Sequence, residues 1–319
     1  MAAMADLDAL VALVTTTPGL LGKRDLEVVK RLGAGLDGDD AALIPHEDGF
    51  IVTCGEAISP PFLLADPFGA GSAAVVTNVS DIRAMGARPH GIVDMLVSPD
   101  KAHAEQVLDG IRWASELLAV PVLGGHLTLG HAPALSASCT GFTTAPLRAS
   151  AAKPGDVLLA AFAVDGRYMN DANDFFTALR DRRPSLLKTD GEALVEVAER
   201  GLCHAARDIS MPGVAGSLLQ MIEGAGVGAT LDVDAVPRPV GVALERWLVT
   251  FPSFGFLLAA PEQHVQAAVG RFLARGLACA PCGRFDDTRA LKLASNGATA
   301  IAWDLAATPL TGISPSAGA

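Results

Sequence analysis

Apolar residues along this chain fall into two textures. In some stretches they recur every third or fourth position; in others they form short unbroken runs between glycines and prolines. The first texture predicts amphipathic helices and the second predicts strands. A short helix is predicted over Asp6 to Val14, capped by Asp6 and ended by Pro18-Gly19. A second follows over Arg24 to Leu32, and Gly33 to Gly38 is a loop. Strands are predicted near Ala41 to Ile44 and Phe50 to Thr53. Asp66-Pro67, a cap followed by proline, opens a long helix that runs to Met85 and stops at Gly86. Arg88 to Val97 reads as a strand and Pro99 to Leu118 as a long helix. Val120 to Leu123 reads as a short strand ending in a Gly124-Gly125 turn, and Leu135 to Thr143 as a further strand.

Near Lys153-Pro154-Gly155-Asp156, a turn sequence, the texture changes. The expected domains are therefore residues 1–148 and 149–307, with 308–319 as a flexible tail. The second half begins with a strand at Val157 to Ala161 and a polar stretch from Asp165 to Thr189. Helices are predicted at Asp190–Arg200, Pro212–Glu223, Val240–Arg246 and Glu262–Arg275. Strands are predicted at Ala229–Val233, Phe254–Ala260, Cys279–Phe285, Ala290–Leu293 and Ala298–Ala302. Strands and helices are mixed without strict alternation, so α+β is expected over a doubly wound sheet.

Composition narrows the function. The 319 residues are 50% hydrophobic and carry a net charge of -11. No basic face is evident, which argues against nucleic acid or an anionic membrane as partner. Five scattered cysteines, and acidic Asp6 and Asp8 where an export signal would be basic, lead to the expectation of a reducing cytoplasm. No apolar run is long enough to predict a membrane span.

Against this apolar background stand three acidic stretches: Gly38-Asp39-Asp40-Ala41-Ala42, Asn78-Val79-Ser80-Asp81 and Asp208-Ile209-Ser210. Carboxylates among small and aliphatic residues gain little from burial, so they point to a cation, a donor or a chemical task. Hard oxygen ligands of this kind suit Mg²⁺ held against phosphates. Asp39-Asp40 alone also reads as an ordinary turn pair; the alanines that follow leave room for a bulky ligand. In the long helix Val75, Val79 and Ile82 form the apolar stripe, and Asn78 and Asp81 share a face beside it. That face is either a solvated edge or the wall of a cleft. Gly124-Gly125-His126 offers backbone N–H groups for an anion, and His126 is either a phosphate donor or a structural histidine.

Other motifs fail their context tests. Gly33-Ala34-Gly35-Leu36-Asp37-Gly38 matches a dinucleotide fingerprint, but a helix precedes it and a strand follows, the reverse of what that fingerprint needs. Cys279-Ala280-Pro281-Cys282 lacks both a second pair for zinc and a following helix for redox work.

Taken together, the motifs resemble the AIR synthase (PurM-like) superfamily, which includes thiamine-monophosphate kinase, selenophosphate synthetase and a hydrogenase maturation protein. Gly38-Asp39-Asp40-Ala41-Ala42 resembles its N-terminal acidic motif, and Asn78 to Pro89 resembles its most specific signature. Gly124-Gly125-His126 is similar to the Gly-Gly-His of selenophosphate synthetase. Asp208-Ile209-Ser210-Met211-Pro212-Gly213 and Trp247 to Gly255 are similar to an uncharacterised AIR synthase-related group. The resemblance implies a two-domain α+β fold. Its N-terminal domain pairs strands across a homodimer, and its C-terminal domain is an α/β sandwich. It implies an ATP-dependent phosphotransferase or ligase that phosphorylates or activates a small metabolite with Mg²⁺. Asp40, Asp81 and Asp208 would hold metal with Asp39 assisting, and Asp40, Asn78, Asp81, Gly124 and Gly125 would hold the nucleotide. Lys23 and His126 would stabilise transferred charge, and Arg167, Asn173 and Asp174 would contact substrate.

Two departures matter. Many relatives carry Thr-Asp where this chain reads Thr53-Cys54-Gly55-Glu56, and a second Asp stands where this chain has Met211. They open an alternative, a catalytically silent nucleotide-binding regulatory or scaffold subunit. They also leave open whether Glu56 replaces the missing ligand.

Overall fold

The structure, a computed structural model, describes residues 6–32, 38–169 and 174–313. Its contacts divide the chain into two compact units, but not by a single cut. Unit 2 comprises residues 40–146 together with 182–199; unit 1 comprises 1–39, 147–181 and 200–319. The chain passes from one unit to the other after residues 39, 146, 181 and 199. The first helix and the 182–199 segment each pack into the unit that their position in the chain does not suggest.

Unit 2 is built on a five-stranded sheet of β1 (Ala42–His46), β2 (Gly49–Ile58), β3 (Arg88–Ser98), β4 (Val122–Leu129) and β5 (Ala134–Thr143), in the order β1-β2-β5-β3-β4. Only β3 and β4 run parallel. The Pro67–Ala84 and Lys101–Leu118 helices pack on each other. Their starts follow from local chemistry: Asp66 Oδ1 accepts from Gly69 N at 2.8 Å, and Asp100 Oδ1 from His103 N at 2.9 Å. The helices cross closely because both contact points are glycine. A Cβ on Gly71 would lie 2.0 Å from Val107 O, and one on Gly110 would lie 2.1 Å from Phe68 O.

One face of this sheet carries Val52, Cys54, Ile92, Asp94, Leu96, Ala137 and Cys139, most of them buried. The opposite face exposes Ile44, Val93 and Met95. Gly124 and Gly125, expected as a turn, instead lie within the continuous strand β4. Gly125 pairs with Asp94, and a Cβ there would stand 2.1 Å from Asp94 Oδ1. The glycine therefore makes room for a carboxylate and does not bend the chain.

Unit 1 holds a seven-stranded sheet and a three-stranded one. Its strands are β6 (Val157–Phe162), β7 (Arg167–Tyr168), β8 (Phe175–Thr177), β9 (Ala205–Asp208), β10 (Gly228–Asp232), β11 (Phe251–Pro252), β12 (Gly255–Ala260), β13 (Ala278–Asp286), β14 (Ala290–Ser295) and β15 (Ala298–Asp304). The large sheet runs β15-β14-β10-β13-β6-β12-β9, and the small one β11-β8-β7. Trp247 anchors the core, its ring 5.1 Å from those of Phe162 and Phe176. Leu10 and Val14 of the Leu7–Thr15 helix are buried in the same core. Each contributes about 1.5–3 kcal/mol by burial, which is why this helix belongs to unit 1. The predicted second helix is a Pro18–Leu21 turn of α-helix continued as 3-10 helix over Gly22–Leu32. The predicted 240–246 helix forms later, at Leu244–Leu248.

The segment from 308 onward, expected as a flexible tail, is held at its start. Leu310 and Thr311 are buried, and backbone N–H groups of 310–312 donate to Glu223. Its final residues, 314–319, lie outside the described residues. Among the described residues, no helix is long and apolar enough to cross a membrane.

Candidate functional site

The signature helix Pro67–Ala84 carries Asn78 and Asp81 on its buried side, as their spacing requires. Their fates differ. Asn78 is fully buried; its Nδ2 donates to Ala74 O at 2.8 Å, and its Oδ1 lies 3.4 Å from the Cys54 thiol. Asn78 therefore ties the helix to β2, and both ends of its amide are engaged within the fold.

Asp81 is buried, and one of its carboxylate oxygens lies within 4.8 Å of one from Asp40, the first residue of unit 2. Two carboxylates so close repel each other, and a cation between them removes the repulsion. The donor set is hard oxygen only, which fits Mg²⁺ and not a soft metal. The nearby Cys54 is no part of such a set. Burial, and then the negative charge of Asp81, push its thiol far up, so it stays protonated.

Glu56 stands two residues beyond Cys54 on the same face of β2. In the sheet register Ala137 of β5 pairs with both Glu56 and Asp94. Glu56, Ala137, Asp94 and Gly125 thus form one row in which acids alternate with small residues. Asp94 is a buried carboxylate whose pKa is raised by burial. It escaped the sequence reading, although an acid inside the apolar run Ile92 to Val97 was the available signal.

Asp39 belongs elsewhere. In unit 1 its Oδ2 accepts from Arg148 Nε at 2.9 Å and its Oδ1 from Ser150 N at 3.3 Å. A carboxylate engaged by an arginine and a backbone N–H is a weaker candidate for a metal than Asp40 or Asp81. Asp208 ends β9 in unit 1 and is buried. The turn after it is held by Ser210 N donating to Ser217 Oγ at 3.1 Å. Met211, at the position where an acid was missed, is exposed.

The remaining candidates are scattered. Lys23 is half-buried in the 3-10 helix of unit 1. His126 is exposed on β4 in unit 2, its Nε2 3.2 Å from Thr128 Oγ1. Arg167 is bound by Asp181, which raises its pKa and lowers that of Asp181. Asp174 pairs with Arg246 at 3.6 Å, and Arg246 stacks 3.5 Å over the Tyr168 ring. Asn173 lies outside the described residues. Cys279 and Cys282 are buried in β13, where burial pushes Cys279 up to about 12 and Cys282 higher, the opposite of a redox thiol.

The fold and these motifs place the chain in a class of two-domain α+β proteins, and sequence comparison defines that class. Residues 38–143 match the family described as AIR synthase related protein, N-terminal domain, and residues 153–295 match its C-terminal domain, so the chain belongs to the AIR synthase related family of PurM-like proteins. An uncharacterized protein of Synechocystis, sll0787, is 34% identical over 96% of this chain and 98% of its own length. A selenide, water dikinase of Myxococcus xanthus is 31% identical over 62% of this chain and 59% of its own length. Among solved structures, T. maritima PurL complexed with ATP superposes with a TM-score of 0.78 at 18% identity, covering 97% of this chain and 53% of that one. The last likeness speaks to the fold.

Proposed function

We propose that this protein is a Mg²⁺-dependent, ATP-using enzyme that phosphorylates or activates a small metabolite. The close approach of the Asp40 carboxylate, on the N-terminal acidic motif, to that of Asp81, on the signature helix, is the observation that carries this reading. Asp40 and Asp81 would hold Mg²⁺, with Glu56 taking the part of the absent aspartate. Asp208 offers a further hard ligand on unit 1. A bound Mg²⁺ would neutralise phosphate charge; the chain's own part is to position the nucleotide and exclude water. Lys23 and His126 remain the cationic candidates for the transferred group, and Gly124 and Gly125 for backbone donors.

Calorimetric titration with ATP, with and without Mg²⁺, tests this. Mg²⁺-dependent binding near one nucleotide per chain is expected. Absence of binding at millimolar ATP under both conditions would remove the reading. Binding without turnover across a metabolite panel would favour the regulatory alternative, for which the exposed Met211 speaks.

We also propose a homodimer built on the outer face and free edge of the unit 2 sheet. Among the described residues strand β4 pairs only with β3, all eight of its residues are exposed, and the outer face exposes Ile44, Val93 and Met95. Long apolar edges invite pairing, and a second copy satisfies this edge symmetrically. A groove of about 360 Å³ on the sheet, lined by Ile58, Met95, Val97, His126 and Ser136 among others, is space that such a copy would fill. Leu127→Lys is expected to shift the mass measured by light scattering from two chains to one. An unchanged mass of two would place the interface elsewhere.

A further inference from the structure

Glu223 lies in the last turn of the Gly213–Ala225 helix, where the helix dipole disfavours negative charge, and it is buried. Such a carboxylate needs strong compensation. Its compensation comes from one short segment. Glu223 Oε1 accepts from Leu310 N at 2.8 Å and Gly312 N at 3.0 Å. Its Oε2 accepts from Thr311 N at 2.9 Å and Thr311 Oγ1 at 2.6 Å. Ile313 N closes the turn onto Thr311 Oγ1 at 3.0 Å. Gly312 adopts φ +63, and Lys30 Nζ occupies the space that a side chain there would need. A side chain there would adopt a strained left-handed conformation and displace the Lys30 ammonium, so glycine is favoured.

The segment leads to the acidic motif. A Cβ on Gly38 would stand 3.7 Å from Ile313 Cγ2 and 3.8 Å from Ile313 O, so Ile313 lies against Gly38. Gly38 itself takes φ +76, and its carbonyl accepts from Arg207 Nη1 at 2.8 Å. The next residue is Asp39, fixed by Arg148 and Ser150, and the one after is Asp40. Four contacts, from Ile313, Arg207, Arg148 and Ser150, therefore converge on two residues, and the Ile313 contact is itself set by a buried carboxylate far away in sequence.

We infer that residues 310–313 form a latch, registered by Glu223, that sets Gly38 and Asp39 and so delivers Asp40 to its ligand position. Glu223 is then a positioning residue for the ATP site and touches neither nucleotide nor metal. The role in ATP binding rests on the proposed function; the latch itself does not.

The test uses Glu223→Gln, the milder Thr311→Val, which removes one donor to Glu223 and the acceptor of Ile313 N, and Ile313→Gly, which removes the side-chain contact on Gly38. Native-state hydrogen exchange and Mg²⁺–ATP affinity are measured on the whole protein. Faster exchange across residues 38–42 is expected in all three variants. Where the parent binds ATP, affinity should fall roughly tenfold in Glu223→Gln, the scale of one lost charge-assisted contact. A carboxylate that serves only local stability would lower the melting temperature and leave exchange at 38–42 unchanged, and that result overturns the latch. If the parent itself binds no ATP, the functional reading falls and the exchange data still decide the latch. If Glu223→Gln fails to fold, the other two variants carry the same comparison.

Discussion

Asp81→Asn is expected to abolish Mg²⁺-dependent ATP binding while leaving the metal-free protein at least as stable as the parent. The substitution keeps shape and removes charge. Without metal, Asp81 faces Asp40 across a gap of no more than 4.8 Å, and a neutral amide relieves that repulsion. With metal, a ligand oxygen is replaced by a weaker one, and affinity should fall roughly a hundredfold or more. The two effects have opposite signs, which makes the variant informative. Thermal melts with and without Mg²⁺–ATP would read both: the parent should gain stability on adding ligand and the variant should not. A variant that melts well below the parent without ligand would show Asp81 to be structural. Full ligand-induced stabilisation in the variant would remove Asp81 from the metal set.

Asp190→Ala is expected to cost the fold about 3–5 kcal/mol, because it strands buried positive charge. Arg182 and Asp190 side chains are 1% and 2% exposed, joined at 2.6 Å (Nε–Oδ2) and 2.8 Å (Nη2–Oδ1). Arg83 of the signature motif is buried as well. Burial pulls its pKa down to about 10, and Asp190 is the foremost charge holding it up. Removing Asp190 leaves two guanidiniums without that carboxylate. A fall in melting temperature on the order of 10 °C should follow in a protein of this size. The exposed Arg88 pairs with Glu192 and Glu199 are a built-in contrast. Glu199→Ala should change stability by no more than about 1 kcal/mol. Similar losses from both variants, measured by urea titration, would refute the distinction.

Local chemistry was legible in the sequence where it acts within a few residues. The Asp6 and Asp66 caps and the facing of Asn78 and Asp81 follow from spacing alone, and the structure shows each of them. The family was legible because its signature is dense between Asn78 and Pro89. What escaped was set by distant partners. Nothing near Asp39 in the sequence shows that Arg148, 109 positions on, engages its carboxylate. The Gly124-Gly125 pair has the composition of a turn, and only the β3 register shows that Gly125 yields space to Asp94. Residues 310–313 read as loose because nothing near them shows Glu223 waiting 88 positions earlier.

The excursion of residues 182–199 into unit 2 also orders events during synthesis. The five-stranded sheet is fully translated by Thr143, yet the carboxylates that face Arg83 and Arg88 come from residues 190, 192 and 199. A nascent chain that has emerged only through β5 carries Arg83 and Arg88 without these counter-charges. It must wait while the first strands of unit 1 are made. The N-terminal half alone therefore lacks those carboxylates. Long-range closure of this kind slows folding and prolongs exposure of the β4 edge. An expression fragment cut at the apparent domain boundary inherits that defect permanently.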